Sequence, residues 1–451
     1  MAKMRSMSVI LILLSSGISI LTGVLLDHGS PGGTANYRAV YYGARCLIQR
    51  ADPYNPDEFL RVYRAENGEF PSNPAKNQLF LRAVPVCVNL PTTLFLVAPL
   101  ALLPWSLSHL IWLALIACSL TSAALLTFEV AREYAPRLSL MLICILLANS
   151  EVLFAVGNTA GIAVGLCVAA VWCFVRERMI WAGILCLAIS LALKPHDSGL
   201  VWLYLILSGG AMRKRSLQAL AILFILAAPA VIWVSHVAPR WSQELRANLR
   251  STSAHGDISD PGPASVSRRG SADVVIDLQT VVSIFKDDPE FYNPVVYAIC
   301  GLILAVLLTT TLRAHSPDDR WYGLAAISAL SMLGTYHRPY DAKLLLLAIP
   351  ACAMLWAKGG LLGRIGVCLT GAAVIITGDL SLAILSLLTG NLNPMTMSLG
   401  KRFWTISITR PVPLVLLLVT VFYLWIYVQR AKGTQRNFSH LGQRAAFSST
   451  R

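Results

Sequence analysis

The sequence predicts an all-α polytopic membrane protein of about twelve transmembrane helices with long external loops. Three observations predict it. The 451 residues are 56% hydrophobic and only 13% charged, where an ordinary soluble domain carries about 25% charged residues. Polar side chains this scarce cannot cover a globule of this size, which excludes a soluble enzyme. Twelve apolar runs approach the ~20 residues that a helix needs to cross a bilayer. Lysines and arginines collect in short clusters between those runs, as charges that set membrane topology do. Disorder, coiled coil and collagen are excluded by the apolar content and by the lack of sustained heptads or a Gly-X-Y period.

The runs are 7–26, 107–127, 138–156, 160–175, 179–193, 198–210, 217–238, 294–313, 321–336, 342–357, 366–388 and 411–429. The first follows Lys3 and Arg5 like a signal peptide. Its apolar core is too long and no A-x-A-like cleavage site follows, so it reads as an uncleaved helix. A further run, 94–103, has ten residues, lies between Pro91 and Pro104 and contains Pro99. Charge decides its course. If it dips without crossing, Arg132, Arg137, Arg176, Arg178, Arg213-Lys214-Arg215, Arg313, Arg320, Lys358 and Arg364 all fall on the side of the basic N-terminus, together with the basic tail. That arrangement satisfies the positive-inside rule.

The chain then forms one transmembrane domain over 1–430, with external loops 27–105 and 239–293 and a basic cytoplasmic tail 431–451. Both termini are expected in the cytoplasm. The outer side also receives Gly157-Asn158-Thr159, Lys194-Pro195-His196-Asp197, His337-Arg338-Pro339-Tyr340-Asp341 and 391–410. The stretch 251–271 is rich in Ser, Gly, Pro and Asp and reads as a mobile loop.

The net charge of +14 is no nucleic-acid footprint, because no basic helix or aromatic-studded groove collects it. Membrane lipids, not nucleic acid, are the expected surroundings. Eight of the ten cysteines lie in apolar runs, where a thiol behaves as a small hydrophobe. Cys46 and Cys87 share a polar loop, and a disulfide between them is open. No Walker, GxGxxG, HExxH or CxxC pattern occurs, so no cofactor and no metal site is expected.

Four places carry chemistry. In the first loop, Tyr37, Tyr41, Ala44 and Ile48 share one face of a short amphipathic helix, and Asp52-Pro53-Tyr54-Asn55-Pro56 reads as a turn. An interfacial helix with aromatic anchors and a substrate platform both fit. Lys194 can snorkel to the headgroups or meet a lipid-linked phosphate, with Asp197 or Ser198 capping the helix that follows. His337-Arg338-Pro339-Tyr340-Asp341-Ala342-Lys343 packs five ionisable groups into seven positions. Charges near hydrocarbon are costly, so this cluster is expected to bind something rather than fill a turn, the alternative being Asp341 as a cap for the next helix, and His337 is not expected to be a buried neutral core residue. Asp379 lies inside its run and is expected to face the bundle interior, in a structural or a catalytic role.

At these residues the chain resembles the bacterial polyprenyl-phosphate-dependent mannosyltransferase-like proteins, membrane glycosyltransferases of the C-type fold. Tyr41-Tyr42, Asp52-Pro53-Tyr54, the Pro91 to Pro104 dip, Lys194-Pro195 and His337 to Asp341 match the family pattern in order over about residues 7 to 357. Three positions depart from it. Asn36 stands at the first-loop aspartate, Gly157-Asn158-Thr159-Ala160 replaces a Gly-Gln-x-Asn turn, and Leu90-Pro91 replaces a double proline. An amide cannot take a proton as a carboxylate can.

The resemblance implies an inverting transfer of a sugar, mannose by analogy, from a polyprenyl-phosphate donor to a glycolipid or glycan acceptor at the outer face. Asp27 or Asp52 would take the acceptor's proton. His337, Arg338 and Lys194 would hold the donor phosphate. Asn36, Tyr41, Tyr42, Tyr54, Asn158, His196, Tyr340 and Asp341 would line the substrate site. A lipid or solute transporter is the rival reading, disfavoured by the lack of inverted repeats. A catalytically inactive lipid-binding membrane protein is the other.

Overall fold

A computed structural model describes residues 2–28, 33–265, 275–313, 319–389 and 397–448, with backbone alone at 2–5, 28, 389, 399, 403, 405 and 433–448. Among these residues every regular element is a helix. Part of the 251–271 loop and of the 391–410 segment lies outside the described residues.

Among the described residues, seven helices are long and apolar enough to cross a membrane: Ser6–Asp27, Trp105–Ala131, Pro136–Val156, Gly210–Val237, Pro289–Arg313, Pro339–Lys358 and Pro411–Lys432. Gly360–Ile376 and Asp379–Leu388, bent by 73°, make an eighth if they are one span. The protein is a multi-pass integral membrane protein, but the expectation of twelve spans is not met. Runs 160–175, 179–193, 198–210 and 321–336 become helices of 16, 14, 13 and 12 residues. Each falls short of the ~20 residues a straight crossing requires. The backbone explains the shortfall. Gly157, Glu177, Met179 and Gly209 take positive φ, and Pro195 starts a new helix at Lys194.

Apolar composition alone does not distinguish a spanning helix from one buried among spanning helices. Of the 16 residues in Ala160–Val175, 13 are buried. It lies against Trp105–Ala131 through Gly161 and Gly165. A Cβ at Gly165 would sit 2.3 Å from Ser119 Oγ and 2.8 Å from the Ser119 carbonyl oxygen. Small residues four apart let two helix backbones approach this closely where lipid offers no hydrophobic drive. By contrast Ser6–Asp27, Gly210–Val237 and Pro289–Arg313 expose most of their apolar surface, as lipid-facing helices do.

Pro339–Lys358 is the most buried span. Its first half, Pro339–Ala348, is a 3-10 helix and its second, Ile349–Lys358, an α-helix. The 3-10 half rises about 2.0 Å per residue and the α half about 1.5 Å. Twenty residues therefore reach about 35 Å, enough for a ~30 Å hydrocarbon core.

Asp379 is buried and accepts the Val152 N–H at 2.8 Å, at the start of the Glu151–Val156 helix. Lys343 donates to the Asn149 carbonyl at 2.8 Å, at the end of Pro136–Ala148. Carboxylate at one N-terminus and ammonium at one C-terminus satisfy the groups left open by this break. That geometry supports the structural role for Asp379.

The run 94–103 forms the 11-residue helix Pro91–Ala101, too short to cross. It is tied inward, with the Thr92 hydroxyl donating to the Ala192 carbonyl at 2.6 Å and the Thr93 hydroxyl to that of Leu193 at 3.0 Å. The loops gather at this same end. Asn248 donates to the carbonyls of Tyr54 and Cys87, Arg82 pairs with Asp257, and Ile276 N–H donates to the His337 carbonyl. Cys46 and Cys87 are both buried free thiols.

Candidate active site

The site begins at helix ends. Ile180–Leu193 stops at Lys194, which is followed by Pro195 at the first position of Pro195–Leu207. Lys194 therefore serves as the capping position of the second helix, and Asp197 lies in its first turn, where a carboxylate suits the N-terminal dipole. Neither Asp197 nor Ser198 is the cap.

Lys194 does not snorkel to the surface. Its side chain turns inward, 8% exposed, and its ammonium donates to Asp341 Oδ1. Asp197 Oδ2 and Asn158 Oδ1 each lie 3.4 Å from Nζ, and the Tyr340 ring lies 5.1 Å away. Asp341 sits in the first turn of the 3-10 helix, and its Oδ2 accepts the Arg338 N–H at 2.8 Å. It holds the turn from within, reaching back to the preceding residues as a capping side chain does.

His337 is fully buried, against expectation. Its charged neighbours are buried with it and satisfy one another instead of drawing water. A carbonyl can only accept, so the 2.8 Å contact with the Thr335 oxygen places a proton on Nδ1. Nε2 then faces Asp197 Oδ1 at 3.4 Å, and His196 Nε2 lies 3.7 Å from the same oxygen. Burial opposes charge on His337, but the Asp197 and Asp341 carboxylates outweigh it and raise its pKa above the ordinary imidazole value.

The glycine turn joins this cluster to the first loop. Gly157 (φ +62°) accepts the Trp112 indole N–H at 2.9 Å, and a Cβ there would strike Thr34 and Tyr37. On the loop side of that turn, buried Thr34 holds a left-handed backbone (φ 52°). Its hydroxyl donates to Asp27 at 2.7 Å and lies 3.0 Å from His109 Nε2. Asp27 is thus linked through Thr34 to the Gly157-Asn158 turn, whose Asn158 side chain meets Lys194.

The other expected residues lie elsewhere. Asp52 Oδ1 accepts the Tyr54 N–H at 2.8 Å, and Glu58 accepts the Asp52 N–H at 2.7 Å. Glu244 completes that acidic group. Partial burial and the neighbouring Asp52 push its carboxyl up to about 7. Tyr41, Tyr42 and Tyr54 are buried, with the Tyr41 hydroxyl donating to the Leu103 carbonyl and that of Tyr54 to Asn89. Tyr42 packs edge-on against Tyr41 and Tyr63. Neither an exposed interfacial belt nor an open platform describes these tyrosines. Asn36 is half-buried near the start of Ala35–Ile48. Arg338 reaches the Tyr336 hydroxyl and the Ile258 carbonyl, tying the turn to the second loop.

A family model described as glycosyltransferase family 87 matches residues 89–350, more than half of the chain. The chain belongs to glycosyltransferase family 87. In this family 87 glycosyltransferase the match takes in Asn158, Lys194, His196, Asp197, His337 and Asp341, and begins after Asp27, Asn36 and Asp52. No curated protein and no solved structure matches the chain.

Sequence reasoning gave Asp197 only as a helix cap and did not single out Thr34 or His109. The available signal for Asp197 was its spacing, since a carboxylate three residues after Lys194 shares that helix face.

Proposed function

We propose that the protein transfers a sugar, mannose by resemblance, from a polyprenyl-phosphate donor to a glycolipid or glycan acceptor at the outer face of a bacterial inner membrane. The observation that carries the reading is the buried Lys194–Asp197–His337–Asp341 cluster, which Asn158 and the Gly157 turn connect to Thr34 and Asp27. The donor phosphate binds beside Lys194, His337 and the partly exposed His196. The acceptor hydroxyl approaches from the first loop. Its oxygen bonds to the anomeric carbon as the bond from that carbon to the phosphate oxygen breaks. The electron pair leaves on polyprenyl phosphate, and the hydroxyl proton passes to Asp27. Attack opposite the leaving group inverts the anomeric centre. Asp27 suits the base better than Asp52, because Asp52 is engaged in its own turn beside Glu58 and Glu244.

Purified protein in liposomes with radiolabelled polyprenyl-phosphate mannose and a membrane lipid extract tests this. Label moving to a new lipid or glycan, lost in Asp27→Asn, is the expected result. Counterflow of intact donor without chemical change would replace the transferase reading with a transporter.

A further inference from the structure

The two carboxylates at the centre of the site, Asp197 and Asp341, face one ammonium and two imidazoles. That set of donor atoms suits a cation. The atoms His196, Asp197, His337 and Asp341 offer all lie within 4.8 Å of one another.

Three features go beyond proximity. First, Asp197 is 1% exposed, yet neither of its carboxylate oxygens completes a hydrogen bond, and the same is true of His337 Nε2 at 0% exposure. Buried polar atoms are normally satisfied, and orphans of this kind call for a missing partner. Second, the Thr335 carbonyl holds the Nδ1 side of His337 and leaves Nε2 turned to Asp197 Oδ1 at 3.4 Å, a place for which a proton and a metal ion compete. A ligating histidine held by a carbonyl on its other nitrogen is how proteins orient metal ligands. Third, the spacing suits an ion. Metal–ligand bonds of about 2.0–2.2 Å place neighbouring ligand atoms roughly 3.0–3.6 Å apart. The His337–Asp197 and His196–Asp197 separations, 3.4 and 3.7 Å, fall in or just beyond that range.

We propose that His196, Asp197, His337 and Asp341 bind one divalent cation. Two imidazole nitrogens with two carboxylates suit a borderline ion such as Mn2+ or Zn2+ better than Ca2+. The His196 side chain is 39% exposed, which gives the ion a way in and leaves a coordination position open on that side. As the ion takes Asp341 and Asp197, the Lys194 ammonium gives up those contacts and keeps Asn158 and the Tyr340 face. The ion adds two positive charges to the cluster, and the donor phosphate has both a metal and an ammonium to meet. The role at the phosphate rests on the proposed function, whereas the binding of the ion does not.

Full-length protein in detergent, stripped with chelator, is titrated with Mn2+ while free Mn2+ is followed by electron paramagnetic resonance. One saturable Mn2+ per chain is expected. His196→Ala, at the exposed edge, should weaken it about 10–100-fold, as loss of a site residue typically does. Asp197→Asn should do the same. Lys194→Met should tighten binding, because it removes the competing ammonium. Should Asp197→Asn fail to fold, Co2+-loaded wild-type protein gives an independent reading through visible absorption of nitrogen-coordinated cobalt. No saturable Mn2+ and no cobalt bands, or Mn2+ binding unchanged in folded His196→Ala and Asp197→Asn, overturns the site. Mn2+ bound without any transfer from polyprenyl-phosphate mannose keeps the site and removes the donor. Transfer by protein that binds no Mn2+ does the reverse.

Discussion

Lys194 and Asp341 are each buried and each the other's closest opposite charge. Removing one member of such a pair leaves an uncompensated charge, at a cost of about 3–5 kcal/mol. Lys194→Ala should therefore lower thermal stability sharply, which a lysine reaching for headgroups would not do. Lys194→Met combined with Asp341→Asn should lose clearly less than the two single changes added together. Additive losses in thermal melts would show that the pair is not coupled. Glu244 makes a second residue-scale prediction, through pH. Its folded-state value of about 7 exceeds the ordinary 4.5. The folded protein thus keeps a proton that the unfolded chain gives up between those values. Stability from this group is complete below about pH 4.5 and declines as pH rises through 7. Glu244→Gln lacks that decline. Its melting temperature relative to wild type should climb between pH 5 and pH 8, and a flat difference would show that Glu244 and Asp52 do not interact.

Among the helices, the close approach of Ala160–Val175 to Trp105–Ala131 is the most demanding contact. Gly165→Leu forces side-chain atoms into the Ser119 backbone, an overpacking cost of about 1–3 kcal/mol. Reduced thermal stability with that range of loss is expected, and an unchanged melt would mean that the helices separate freely. The helices also show what could be read without coordinates. Apolar runs and basic links revealed a helical membrane protein, because hydropathy is a property of local composition. They overstated the spans, because hydropathy does not register that Gly157, Met179, Gly209 and Pro195 bound three of the runs as short helices. Charged clusters at helix ends pointed to Lys194, His337 and Asp341, since ionisable groups beside hydrocarbon need a reason. The partners were hidden. Thr34 meets His109 across 75 residues, and His337 meets Asp197 from another helix, so no local pattern encodes either contact. Tyrosines at helical spacing look alike whether they pack, as Tyr41 and Tyr42 do, or face a ligand.

At the scale of the whole molecule, the loops, the glycine turn and the buried cluster share one end of the bundle, so the chemistry belongs to one side of the membrane. The distribution of basic links predicts that this side is the exterior. Cysteines placed singly at 52 or 255, in a variant without native cysteines, should react with an impermeant reagent on intact cells, and a cysteine at 214 should not. Labelling of 214 from outside would invert the orientation. The distance along the chain between Lys194 and Asp341, 147 residues, has a consequence for biogenesis. At about 5–20 residues per second, the ribosome needs roughly 7–30 s to supply the second carboxylate after the first lysine has emerged. During that interval Asp197, three positions away, stands ready to neutralise the ammonium. The spacing that later builds the site thus gives the ammonium a local counter-charge before its distant partner has been synthesised.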